Sequence, residues 1–215
     1  MTDYALMNHL LYIGDADSVG KMTETALEEG LDVDDILQKG LIAGMSVVGE
    51  DFKHNRLYVP QVLIAARAMK AGMAILKPLL TQTAETASRG TIVMGTVKGD
   101  LHDIGKNLVC MMAEGAGFTI INLGVDTSAD EFLEAAKENE AGIVGMSALL
   151  TTTMPYMKTV IDAFRQEGLD EIRICIGGAP VSEMFAEEIG ADGYAADASS
   201  AVDLFKEIYP AAAGA

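Results

Sequence analysis

At 215 residues, half of them hydrophobic, the chain has enough apolar material to pack a core, in one large domain or two small ones, and too much to remain disordered. Lys and Arg total 15 against 32 Asp and Glu, a formal charge of −17, which disfavours nucleic acid and anionic membrane as partners and otherwise serves solubility. No unbroken apolar run reaches the roughly 20 residues needed to span a bilayer, and the N-terminus has no basic n-region, so a cytoplasmic protein is expected.

In chain order, residues 1–88 show apolar positions at helical spacing in "DYALMNHLLYIG", "VGKMTETALEEG", "VDDILQKGLIAGMSVVGEDF" and "VPQVLIAARAMKAGMAILKPLL". Asp15 and Asp32 supply caps, Gly14, Gly30 and Gly40 supply caps and breaks, and Pro60 fits a first helical turn, where its missing N–H costs nothing. Four helices with short connections predict a small antiparallel bundle. The polar stretch "TQTAETASRG", 81–90, reads as the tail of the fourth helix and then a linker.

From residue 91 the character changes. Short β-rich runs appear at "TIVMGTV", "TIINLG", "GIVGMSA", "RICIGG" and, more weakly, "GYAA", with helical patterns at 104–116, 128–139, 153–167, 181–189 and 198–208 between and after them. Alternating strands and helices of these lengths predict a five-stranded parallel sheet covered on both faces, in the flavodoxin-like (Rossmann-like) α/β winding. The domains are then a helical cap, 1–88, and an α/β domain, 89–215. Ligands of such sheets sit beyond the carboxyl ends of the strands, where "KGDLHDIG", "SALLTTT" and "GGAP" converge. The cysteines, Cys110 and Cys175, lie in apolar segments without a CxxC pairing and read as reduced core residues.

The most informative stretch is "VKGDLHDIGKNLV", 97–109, which places His102 on the loop leaving a buried strand, with Asp100 and Asp103 beside it. A neutral imidazole can bind a borderline transition metal through one ring nitrogen while the other donates a hydrogen bond. Asp100, two residues away, is placed to accept that bond and fix the tautomer. Asp103 favours the positive end of the following helix, and no second metal-ligand set is visible. His9 and His54 read as surface or packing residues.

Asp100-x-His102-x-x-Gly105, then Ser147-x-Leu149, then Gly177-Gly178, resembles the three-part signature of the B12-binding domain. "VVGEDFKHNRLYVPQVLIAARAMKAGMAILKP" likewise resembles the helical cap before that domain in methionine synthase. Nearly the whole chain is similar to the stand-alone corrinoid proteins of methyltransferase systems. The resemblance implies cobalamin bound base-off and His-on: His102 replaces dimethylbenzimidazole as the lower cobalt ligand, and the displaced nucleotide tail is buried beside the sheet. It implies that Asp100 and the hydroxyl of Thr153 (Ser in methionine synthase) complete a relay behind His102. Gly105, Ser147, Leu149, Thr151, Gly177 and Gly178 are then cofactor-binding residues, the glycines removing Cβ atoms that would block the tail. Phe52 and Val59 fall where the family places two apolar residues over the corrin's upper face.

The implied function is methyl carriage between a substrate-specific methyltransferase and a second corrinoid methyltransferase acting on tetrahydrofolate or a thiol such as coenzyme M, with a reductive activase as a further partner. No nucleophile–base pair of its own is apparent, so turnover is expected only with partners, and the cap is expected to swing about the linker to admit them. Two alternatives share the cofactor: the small subunit of an adenosylcobalamin mutase, which lacks such a cap, and a B12-sensing regulator, which this acidic chain does not equip with a DNA-reading domain.

Overall fold

The computed structural model describes residues 2–80 and 89–209. The chain divides into two compact units, residues 1–87 and, apart from the turn 115–117, residues 88–215. Most of the expected linker, 81–90, lies outside the described residues.

The first unit is helical: α1 (Tyr4–Ile13), α2 (Ala16–Glu28), α3 (Val33–Asp35), a π-helical stretch Ile36–Ile42, α4 (Ala43–Lys53) and α5 (Val59–Leu80). Its starts follow the capping chemistry, since Asp3, Asp15 and Asp32 each accept main-chain N–H groups from the turn that follows. Gly14 ends α1 in the left-handed conformation (φ 79°). The third expected helix is a single helical run whose turns widen over the π-helical Ile36–Ile42. Gly40 sits inside that run and does not break it; the Met7 sulfur occupies the space where a Cβ would project, so the glycine lets α1 pack closely.

The stretch Val59–Leu76 of α5 is, by length and composition alone, apolar enough to cross a membrane. Charged Arg67 and Lys70 interrupt it. Within the helical unit its Val62, Ala65, Ala66, Ala68, Met69 and Leu76 are buried core.

The second unit carries β1 (Thr91–Val97), β2 (Thr119–Thr127), β3 (Ile143–Ser147), β4 (Arg173–Gly177) and β5 (Gly193–Ala195), all parallel, in the order β2-β1-β3-β4-β5. Helices α6 (Ile104–Gly115), α7 (Ala129–Glu138), α8 (Pro155–Gln166), α9 (Glu183–Ile189) and α10 (Ala198–Ile208) alternate with the strands. Val93, Val97, Val144, Met146, Ile174 and Ile176 face α7, α8 and α9 across a core that includes Phe132 and Phe164. The opposite faces of β1, β3 and β4 present Met94, Gly145 and Cys175 toward α6 and α10. Burial on both faces is why these strands read as continuous apolar runs. Both cysteines are buried and neither is in a disulfide.

Strand β2 runs three residues beyond the apolar stretch that announces it. Gly124 (φ 84°) reads as a stop, but the strand resumes after two register shifts against β1 and ends at Thr127. Strand order reverses between β1 and β3, so the loops after them part to opposite sides of the sheet and leave a crevice at their carboxyl ends. Phe132 has no exposed surface and fills the space above Gly95. Phe132→Ala is expected to cost about 3–5 kcal/mol of stability, read as a lower urea midpoint with an unchanged slope.

Candidate functional site

The site begins with a turn. Val97 closes β1, and its carbonyl accepts the Asp100 N–H at 3.1 Å, with Gly99 at φ 83° supplying the left-handed position of a type II turn. The turn delivers the Asp100 side chain into the interior with no exposed surface. A buried carboxylate must find donors, and five converge on it. Oδ1 accepts the His102 main-chain N–H (3.1 Å) and lies 2.7 Å from the His102 ring Nδ1. Oδ2 accepts the main-chain N–H groups of Leu149 (2.8 Å) and Leu150 (3.2 Å) and the hydroxyl of Thr153 (2.7 Å). Burial by itself would push the Asp100 pKa up; the hydrogen bonds from Leu149, Thr153 and His102 outweigh it and hold the carboxyl well below the usual carboxylate range.

An ionised carboxylate can only accept, so the contact places a proton on Nδ1 of His102, and in the neutral imidazole Nε2 is then the nitrogen with the lone pair. The imidazole is half exposed, while its own main chain is pinned by the hydroxyl of buried Thr96, which donates to the His102 carbonyl at 3.0 Å. Leu101 and Ile104, on either side of His102, are 70% and 82% exposed, and Leu149 and Leu150 are exposed on the adjoining loop. A bare imidazole nitrogen set among exposed apolar side chains is an open site for a large, mostly apolar partner.

Beside it a cavity of about 510 Å³ opens between the sheet and helices α6 and α10. Its lining brings together His102, Gly105, Ser147, Leu149, Gly177 and Gly178, six of the residues singled out from the sequence. Thr153 stands behind Asp100, outside that lining, and Thr151 is an exposed turn residue also outside it. Phe52, half-buried at the end of α4, and Val59, the first residue of α5, belong to the helical unit. They flank a connection held by Asp51, which accepts from the Tyr12 hydroxyl (2.8 Å) and pairs with Arg56 (2.9 Å).

The glycines divide in a way the sequence does not reveal. A Cβ on Gly178 (φ 128°) would run into the Ala148 carbonyl, and one on Gly177 would come within 2.9 Å of the Ala195 carbonyl. Close approach of neighbouring main chain therefore demands both. Gly105 differs: a Cβ there would meet nothing within 4 Å, and its φ is not left-handed. A glycine costs a helix about 1 kcal/mol relative to alanine, so its place at the mouth of the cavity is explained by something the chain itself does not supply.

Comparison with known proteins identifies the class of ligand. Residues 90–203 match the family model described as B12 binding domain, and residues 7–77 match a second model of the same description. The chain is a corrinoid protein of the B12-binding family. It is 44% identical over 198 residues to a corrinoid protein of Desulfitobacterium hafniense, covering 91% of this chain and 92% of that one. It is 45% identical over 193 residues to dimethylamine corrinoid protein 1 of Methanosarcina acetivorans, covering 89% and 90%. Among solved structures, the methanol:cobalamin methyltransferase complex of Methanosarcina barkeri superposes with a TM-score of 0.86 at 29% identity, covering 96% of this chain and 79% of that chain. A cobalamin-binding protein from Desulfitobacterium hafniense gives 0.76 at 30% identity, covering 97% and 99%.

The residues of this corrinoid protein fit such a cofactor. Among the described residues no cluster of three or more His, Cys, Asp or Glu could hold a metal ion, and a cobalt already held by a corrin ring asks for one protein ligand. The cavity is within the range of small-ligand pockets. The thiol of Cys175 in its wall is pushed up to about 12 by burial and by the charge of Asp192, so it stays neutral there. Three residues of the site escape sequence reasoning. Thr96 holds the His102 carbonyl, as described. Lys106, only 2% exposed, donates to the Asn107 (2.7 Å) and Asn122 (2.6 Å) side chains and ties the start of α6 to β2. Asn107 in turn donates to the Asp103 carboxylate at 2.8 Å, which gives Asp103, at the start of α6, a structural partner.

The depressed Asp100 pKa sets a pH dependence. A carboxylate whose folded pKa lies below its unfolded value, about 3.9, adds stability that is fully present above that value and is lost as pH falls through the folded pKa. Asp100→Asn is expected to lower the urea midpoint at pH 7, and the gap to the parent should narrow steadily below about pH 4. A gap that stays constant from pH 7 to pH 2 would show that the ionised carboxylate is not what the five donors stabilise.

Proposed function

We propose that this corrinoid protein carries methyl groups, with cobalamin bound base-off and the Nε2 of His102 on cobalt. One observation carries the reading: Oδ1 of the fully buried Asp100 carboxylate lies 2.7 Å from Nδ1 of the half-exposed His102, which lines a cavity of about 510 Å³. When bound, the corrinoid supplies a cobalt that accepts a methyl group from one molecule and passes it to another. The protein's task is to bind, orient and tune. Asp100 holds the imidazole in its ligating tautomer, and Thr153 helps keep Asp100 ionised. With the carboxyl held well below the usual carboxylate range, Asp100 remains an acceptor and would keep its hold on Nδ1 of His102.

Gly105, Ser147, Leu149, Gly177 and Gly178 line the space for the displaced nucleotide tail, and Thr151 marks the outer edge of the same loop. Phe52 and Val59 of the helical unit are assigned to the upper face of the corrin. The methyl donor is held by a substrate-specific methyltransferase. Relatives with dimethylamine, trimethylamine and methanol in their names support a methylated amine or methanol as the donor's class. A second corrinoid methyltransferase moves the group to tetrahydrofolate or to a thiol such as coenzyme M, and a reductive activase restores cofactor lost to oxidation.

Titration of the apoprotein with cobalamin tests the reading. The parent should bind one cobalamin with a visible spectrum lacking the benzimidazole-ligated band. His102→Ala should lose the imidazole-ligated spectrum and bind about 10–100-fold more weakly. Gly105→Leu should fold normally and fail to admit the tail. If His102→Ala matches the parent in spectrum and affinity, His102 is not the ligand.

A further inference from the structure

We propose that Asp126, on the neighbouring strand, is a positioning residue for the His102 ligand: it clamps the turn that presents Asp100. The inference rests on the His-on reading above and deepens it. Three features of β2 meet at this residue. First, between Met94 and Val97 strand β1 advances three residues while β2 advances five, from Asn122 to Thr127, so β2 bulges where Asp126 lies. Bulges beside sites commonly re-aim a side chain. Second, Asp126 has φ 56°, a left-handed conformation that Asp tolerates better than most residues but that still has an energetic cost. Third, the bulge and the left-handed backbone together turn both polar ends of Asp126 onto one target. Its carboxylate Oδ1 accepts the Gly99 N–H at 2.7 Å, and its own N–H donates to the Asp100 carbonyl at 3.0 Å.

Gly99 and Asp100 are the last two residues of the type II turn after β1. Main chain on both sides of the peptide linking them is thereby fixed from outside the loop. The Asp100 side chain then meets its five donors in one orientation, and through Oδ1 that orientation passes to the imidazole of His102. Local backbone strain at such a position is a reason to look for a role. The Asp126 side chain is exposed, so core packing does not account for it. In chain order it follows His102 by more than twenty residues, on another strand, and only the bulge brings it to the ligand loop.

Two variants separate positioning from simple stability. Asp126→Gly keeps the left-handed backbone and the N–H but removes the acceptor; Asp126→Asn keeps a side-chain oxygen at the same reach and removes the charge. With cobalamin bound, Asp126→Gly is expected to shift the visible spectrum toward the form without axial imidazole and to weaken binding by about tenfold, the low end for an outer partner of a metal ligand. Asp126→Asn should restore the parent spectrum and affinity. A parent-like spectrum and affinity in Asp126→Gly would overturn the proposal. Loss of ligation in Asp126→Asn would overturn the hydrogen-bond account even if Asp126→Gly does not fold. A crystal structure of the Asp126→Gly apoprotein gives a readout without cofactor: the Asp100–His102 Nδ1 contact of 2.7 Å should open, and its retention would contradict the clamp. Failure of the parent itself to bind cobalamin through His102 would strike the reading beneath, whereas the apoprotein geometry would still decide the clamp.

Discussion

A carboxylate taken out of water at the end of a parallel sheet needs a donor for nearly every lone pair, and Asp100 has five. Buried without such donors, the charge would cost far more than any single hydrogen bond contributes. The surrounding structure therefore adapts to the carboxylate. The loop after β3 turns so that the Leu149 and Leu150 amides and the Thr153 hydroxyl face one oxygen, and the loop after β1 folds back so that His102 faces the other. The reversal of strand order between β1 and β3 allows two loops to approach one side chain from opposite sides.

From that fixed charge the chemistry follows in one direction. Ionised Asp100 decides which ring nitrogen of His102 holds hydrogen, and that decides which nitrogen remains available to a metal. The half-exposed imidazole, the exposed Leu101 and Ile104, and the open space at Gly105 then have a common purpose that no internal packing requirement explains. Methyl carriage is a proposal built on this arrangement. The arrangement itself needs only a buried acid and the donors that keep it ionised.

The sequence makes part of this legible because ligand and orienter lie two residues apart, so Asp100 and His102 announce each other. Thr153 is legible only through the resemblance to methionine synthase, which has a Ser at the matching position. The alternation of apolar runs and helical spacings likewise reveals the sheet, because strands buried on both faces leave an uninterrupted apolar signature. What stays hidden depends on groups without a sequence signal. The Leu149 and Leu150 donors are main-chain amides, which every residue has. Lys106 carries a charge that usually keeps a side chain at the surface, yet neutral amide oxygens let it lie buried. Asp126 is reached only through a bulge, which register and not composition creates. Gly40 looks like a helix break because glycine usually weakens helices, but here it admits the Met7 side chain.

The measurement that tests the central claim most directly is electron paramagnetic resonance of the cobalt(II) form, with the protein labelled at histidine with nitrogen-15. Natural-abundance protein should show each cobalt line split into three by one axial nitrogen, and the labelled protein should show two. That change would establish a histidine of this chain as the lower ligand, and its loss in Asp100→Asn would establish the buried carboxylate as what holds it there. Splitting that ignores the label would mean the cofactor's own base still ligates cobalt, and the account built on Asp100 and His102 would be wrong.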